Sequence, residues 1–297
     1  MTNNLILIKS LLLAGLVSCC LSACDLLDPK EEEEIPAYLT ISNATVLENK
    51  DNGFYSSLGL RDAWVFQGDD LLGAFELPVT IPYYPSNGDE LLILGGVFET
   101  GFSSARQRYP FWQTIEVPAT AAPLDTIKLE PTFEYYPDTV LNYAFVEDFE
   151  DATIQFEPVA PGNDLVSLVR ISDDVYEGSR AGKAVFDDAQ RQLVIQTTES
   201  FTLPQRGSND AYVEITYKNT MPFQVGLFYD APNSNSGEQS DEILFFSDGE
   251  WKTLYVHINN LARMSPENSQ FRFFIRSLGG GKEGYIIFDN IRLIHFR

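Results

Sequence analysis

The sequence predicts an all-β protein built as two β-sandwiches. Apolar residues recur at helical spacing almost nowhere, whereas short runs of strand-like alternation recur throughout. Glycine and proline, 20 and 16 of 297 residues, punctuate those runs at roughly ten-residue spacing. The cysteines bound how such a fold is held. Cys19 and Cys20 stand in an apolar N-terminal segment and Cys24 borders it, so no disulfide staples the body. Hydrophobic cores must hold it alone.

The first sandwich spans residues 37–144 and opens on Ala37-Tyr38-Leu39-Thr40-Ile41. Ala63–Phe66 and Leu71–Phe75 flank Gln67-Gly68-Asp69-Asp70, and two apolar runs around a Gly-Asp turn predict a hairpin. Glu90–Leu94, Thr114–Val117 and Thr126–Leu129 complete a small sandwich of immunoglobulin or transthyretin type. Pro131 and Pro137 stand among Phe133, Tyr135 and Tyr136, which predicts a short packed connection.

The second sandwich spans residues 145–297. Its predicted strands are Phe145–Phe149, Gly182–Phe186, Leu193–Ile195, Ala211–Tyr217, Val225–Tyr229, Ile243–Phe246, Trp251–Ile258, Phe271–Ile275 and Tyr285–Leu293. That many strands over this length fit a jelly roll. Trp251, entering a strand after a Gly turn, is expected in the core.

Ahead of both lies a segment of a different kind. Lys9 precedes an apolar run from Leu11 to Val17, followed by Leu21-Ser22-Ala23-Cys24. A positive flank, a short apolar run and a small-residue cut site describe a secretory signal peptide over residues 1–23. The run is too short to span a bilayer. The cysteine at the cut resembles the lipobox of bacterial lipoproteins. That resemblance implies that Cys24 is lipidated and anchors the chain, and two or more acyl chains hold a membrane stably. Residues 24–36 form an acidic tether, with Asp25, Asp28 and Glu31 to Glu34 against Lys30. Like charges at this density keep a chain extended. The tether also resembles the export signal of surface-exposed lipoproteins, which implies an outer-membrane, cell-surface address.

The C-terminal 145–297 resembles the galactose-binding-like jelly rolls that serve as carbohydrate-binding modules. The carriers are Glu147-Asp148-Phe149-Glu150, the Gly178–Ala184 turn, Gly249-x-Trp251 and Phe288-Asp289-Asn290-Ile291. The resemblance implies a structural Ca²⁺ held by Glu147, Glu150 and Asp289. Hard carboxylate oxygens suit that ion. It also implies glycan as ligand. Tyr229, beside Asp230, Asn233 and Asn235, offers the aromatic face and polar groups that a sugar needs.

A second candidate surface lies in the first sandwich. Phe102 to Trp112 holds Arg106, Arg108, Tyr109 and Trp112, a composition enriched where proteins meet partners. Alternatively it folds over the sandwich, with its arginines paired to Glu99 or Glu116. Net charge is −23, and no basic patch is visible to neutralise phosphates. Nucleic acid is therefore excluded as a partner, and membrane contact is expected through the lipid anchor only. His257 and His295 are the only histidines, without a nearby nucleophile or metal-ligand spacing, so catalysis is not expected. Two functions follow. One is non-catalytic capture of extracellular polysaccharide. The alternative is a structural or adhesion subunit of an outer-membrane assembly, using the arginine–aromatic segment.

Overall fold

The computed structural model describes residues 34–47, 59–99, 105–205, 210–233, 235–240 and 244–297. The leader, Cys24, the tether up to Glu33, and Phe102 lie outside the described residues. The chain is all-β, as expected. Among the described residues, no helix is long and apolar enough to cross a membrane.

The first ten strands are β1 (Ala37–Ile41), β2 (Thr45–Val46), β3 (Asp62–Gln67), β4 (Asp70–Glu76), β5 (Val79–Tyr83), β6 (Glu90–Phe98), β7 (Arg106–Arg108), β8 (Ile115–Pro118), β9 (Thr126–Leu129) and β10 (Thr132–Phe133). β3 and β4 form the expected hairpin, and β6 pairs with β3 on one edge and with β7 and β8 on the other. β1 lies between β5 and β9, and its pairing with β9 is parallel. β5 carries Pro82, which the edge position tolerates because an edge strand can spare a ladder donor. Leu39, Ile41, Val65, Ile81, Leu91 and Ile93 point inward from these sheets and are fully buried or nearly so.

The remaining elements are β11 (Leu141–Glu147), β12 (Phe156–Pro158), β13 (Leu168–Ile171), β14 (Ala181–Phe186), β15 (Gln192–Thr197), β16 (Ala211–Asn219), β17 (Gln224–Asp230), β18 (Gly237–Ser240), β19 (Lys252–His257), the short helix α1 (Asn259–Met264), β20 (Gln270–Leu278) and β21 (Gly284–Phe296). They build two antiparallel sheets. One runs β13-β14-β21-β16-β19 with β11 also on β21, and the other runs β12-β15-β20-β17-β18. Between them lies a core that includes Phe186, Val213, Ile215, Phe223, Leu227, Phe271, Phe273 and Phe288. Each comes from the inward parity of its strand, the period of two that a half-buried sheet imposes.

The expected strand at Ile243–Phe246 is absent from its described part, Leu244–Phe246. There Phe245 makes an isolated bridge to Phe223. Local side-chain bonds replace a ladder. Asn219 donates its amide to the carbonyls of Met221 and Phe245, and accepts from the Ser247 N–H at 2.6 Å.

The two cores meet. Tyr212, Tyr255 and Ile294, outward-facing on the six-stranded sheet, belong to the hydrophobic cluster of the first ten strands. β16 is therefore buried on both faces along most of its length.

Candidate functional site

The outward face of the five-stranded sheet carries the candidate site. On β20, inward Phe271, Phe273 and Ile275 leave Arg272, Phe274 and Arg276 pointing out. On β17, inward Val225 and Leu227 leave Gly226 and Phe228 pointing out. The Phe228 and Phe274 rings meet with centroids 4.5 Å apart. Gly226 makes this possible. A Cβ there would stand 2.5 Å from the Phe274 ring, so any larger residue would displace it.

Polar groups flank these rings, and each is held by a neighbour. Gln196 Nε2 donates to Glu157 Oε1 at 3.0 Å, and Arg272 Nη1 reaches the same oxygen at 3.4 Å. Arg276 grips Glu238 with two parallel bonds of 2.8 and 2.7 Å while lying over the Phe274 ring. Ser236 Oγ donates to Asp230 Oδ1 at 2.5 Å. Phe228, Asp230, Glu238, Gln196, Gln270 and Arg272 line an open cleft of about 460 Å³. An aromatic face ringed by fixed planar donors and acceptors is the chemistry that a polyhydroxylated ring requires.

The residues expected at this loop are divided by the fold. Asp230 lines the cleft. Tyr229 also borders it, but is half-buried and packs against the core from the inward parity of β17. The outward aromatic is its neighbour Phe228. Asn233 and Asn235 are exposed on the adjoining loop and stand apart from the cleft lining. The alternation of Val225 and Leu227 was the signal for Phe228, since a residue one step from an inward position must point out. Arg272 was legible in the same way from Phe271 and Phe273.

The aromatic rings of the arginine–aromatic segment are not an open contact surface, although Arg108 is exposed. Tyr109 and Trp112 are 2% and 4% exposed, packed edge-to-face on Tyr255 across the junction between the two cores. Their large apolar rings have already found a partner within the chain. Arg106 pairs with Asp62 at 2.5 Å and Glu76 at 3.5 Å, not with Glu99 or Glu116. Arg108 lies over the rings of Trp64 and Phe66.

At this junction the six-stranded sheet presents a buried ion pair, Glu214 with Arg292. Tyr109 donates its hydroxyl to Glu214 Oε1, and Tyr135 donates to both carboxylate oxygens at 2.9 and 3.2 Å. Arg292 also lies over the Tyr135 ring. Burial, with the Glu214 charge beside them, pushes both tyrosine hydroxyls far above their ordinary range and keeps them as donors.

His257 stands near the same junction. Its Nε2 is 3.2 Å from Asp210 and its Nδ1 3.8 Å from Glu99, while its ring stacks on Tyr212. Sequence spacing could not show this cluster, because Glu99 lies over 150 residues away on the other core.

The three carboxylates expected to hold calcium do not fit that ion. Glu147 accepts the N–H groups of Phe149 and Gln155, at 2.7 and 2.5 Å. Glu150 accepts the N–H of Ser179 and Arg180 and the Ser179 hydroxyl. Asp289 accepts three N–H groups, from Tyr176, Glu177 and Asn290. All six oxygens face hydrogen-bond donors, which a cation would have to displace. Among the described residues no group of three metal-ligating side chains converges. Glu150 and Asp289 instead pin the 176–180 turn, and Glu147 holds the loop between Phe149 and Gln155. Gly178 serves that turn with φ +75°, where a Cβ would stand 2.4 Å from the Glu150 carboxylate. Burial pushes Asp289 up to about 7, against the three N–H donors. Burial likewise raises Glu147. For Glu150, burial is outweighed by bonds from Ser179 and Arg180, which hold it below the usual range.

Trp251, expected in the core, is half-buried outside it and leans on Tyr176 with centroids 5.8 Å apart. The strand begins at Lys252, so Trp251 sits on the turn at the sandwich end.

No family model and no curated protein matches the chain. Among solved structures it is similar to one described under the promiscuous specificity of carbohydrate-binding modules of the β-sandwich superfamily. There identity is 14% and the TM-score 0.40, over 88% of this chain and 99% of that one. It is also similar to a CBM22-1 xylan-binding domain from Paenibacillus barcinonensis, with 12% identity and a TM-score of 0.36. That match covers 51% of this chain and 93% of the other. A family 30 carbohydrate-binding module of a Clostridium thermocellum cellulosomal cellulase matches at 12% identity and a TM-score of 0.35, over 52% and 96%.

Proposed function

We propose that this protein is a non-catalytic cell-surface lipoprotein that binds extracellular polysaccharide on the outer face of its five-stranded sheet. The observation that carries the binding is the Phe228 ring, turned outward in an open cleft between Arg272, Gln196 and Glu238. A sugar ring stacks its C–H face on an aromatic, and prearranged polar side chains then select its orientation. The Tyr109 and Trp112 rings are buried within the chain, which favours the glycan reading over an assembly subunit that contacts its partner through them.

The anchoring half of the reading rests on Lys9, the Leu11–Val17 run and Cys24. Substituting Cys24→Ser should leave unprocessed precursor and abolish labelling by a clickable fatty acid. Unchanged labelling removes the lipoprotein reading. The binding half is tested by a polysaccharide array with the full chain and with Phe228→Ala. Wild-type binding that disappears in the variant, with melting shifted by about 1 kcal/mol or less, supports the cleft. An array without any bound polysaccharide removes the glycan reading.

A further inference from the structure

The cleft's own charges define which glycans it admits. Asp230 and Glu238 line it, and Glu157 borders it, against the guanidinium groups of Arg272 and Arg276. Each guanidinium already faces a carboxylate, Arg272 that of Glu157 and Arg276 that of Glu238. The carboxylate of Asp230 takes only a neutral hydroxyl, from Ser236, among its described bonds. The local balance is therefore acidic, inside a chain of net charge −23. Donors and acceptors are balanced the same way. Carboxylate oxygens accept only, while Arg272 Nε is a buried N–H donor with no hydrogen-bond partner among the described residues.

We propose that the ligand of this cleft is an uncharged, hydroxyl-rich glycan, and that chains carrying carboxylate or sulfate groups are rejected. This deepens the glycan reading above and rests on it. A sugar hydroxyl donates to Asp230 or Glu238 and can accept from the Arg272 guanidinium that lines the cleft, so it satisfies both kinds of group at once. A ligand carboxylate or sulfate accepts only. Placed here it meets the acceptors of Asp230, Glu238 and Glu157, and the guanidiniums of Arg272 and Arg276 already face carboxylates. Displacing Glu157 or Glu238 strips it of its cation, and like charge repels the approaching chain. The Phe228 face adds stacking that does not depend on charge.

The test compares the full chain on neutral xylan, mixed-linkage β-glucan and galactomannan with polygalacturonate, alginate and chondroitin sulfate. At about 20 mM salt, where screening is weak, at least one neutral chain should bind, and every acidic one at least tenfold more weakly. The gap should narrow at about 0.5 M salt and in Asp230→Asn, whose amide oxygen can still accept from Ser236. An acidic chain binding as tightly as the neutral ones overturns the proposal and leaves the glycan reading standing. A gap unchanged in Asp230→Asn, with neutral binding intact, overturns the placing of rejection in this cleft. If no chain of either class binds, the glycan reading itself falls, and this inference falls with it.

Discussion

The two sheets built from β11 to β21 turn similar side chains outward and meet different fates. The six-stranded sheet presents Glu214, Arg292, Tyr212 and Tyr255, and the first ten strands cover them with Tyr109 and Trp112. The five-stranded sheet presents Glu157, Glu238, Arg272, Arg276 and Phe228 to an open cleft. Both faces combine carboxylates, guanidiniums and aromatic rings. Coverage decides what they do. An ion pair removed from water must find its partners within the protein, so Glu214 is met by Arg292 and two tyrosine hydroxyls. A pair left at the surface is weak, and its remaining hydrogen-bonding capacity stays available to a ligand.

The contrast can be broken first where burial is greatest. Arg292→Ala leaves Glu214 charged and enclosed, and should cost about 3–5 kcal/mol. Denaturant melts of the wild type and the variant measure this. A loss below about 1 kcal/mol would mean that water reaches the junction.

Asp289 sharpens the same point, because it is buried and held by backbone N–H groups instead of a guanidinium. Its folded pKa is raised to about 7, so the folded state prefers its protonated form. That preference stabilises the fold fully below the ordinary carboxylate value near 4 and is lost as pH rises through about 7. The contribution is up to about 4 kcal/mol. Melting temperature should therefore fall between about pH 4 and about pH 7. Asp289→Asn should flatten the slope. A wild-type profile that rises over this range would place the group's ionisation below neutrality.

On the open sheet, neighbouring aromatics should separate. Tyr229→Ala, which removes a half-buried ring packed on the core, should cost about 2 kcal/mol and spare the Phe228 platform. Phe228→Ala should cost less stability and abolish polysaccharide binding. Equal effects of the two on binding would mean that strand parity does not define the site.

The smallest effect is expected at the exposed pair. Arg276→Ala should change stability by about 0.2–1 kcal/mol, despite the two-bond geometry with Glu238. A loss as large as that for Arg292→Ala would erase the distinction between the sheets.

Alternation and turn chemistry were enough, from sequence, for the all-β class and most strand positions. The Gln67–Asp70 hairpin turn, the inward Phe271 and Phe273, and the clean alternation of Ala211–Tyr217 are all local consequences of a two-residue period. The same period held the outward parity of Phe228 and Arg272, so half the candidate site was legible. What covers an outward face was not. Tyr109 reaches Glu214 across 105 residues, and no local pattern encodes a contact at that separation. Only the tertiary structure turned Tyr109 and Trp112 from an exposed contact into a sealed junction. It also set Glu147, Glu150 and Asp289 against backbone N–H groups. Alternation assigns a residue to a face, whereas burial and hydrogen-bond partners depend on whatever else the chain brings to that face.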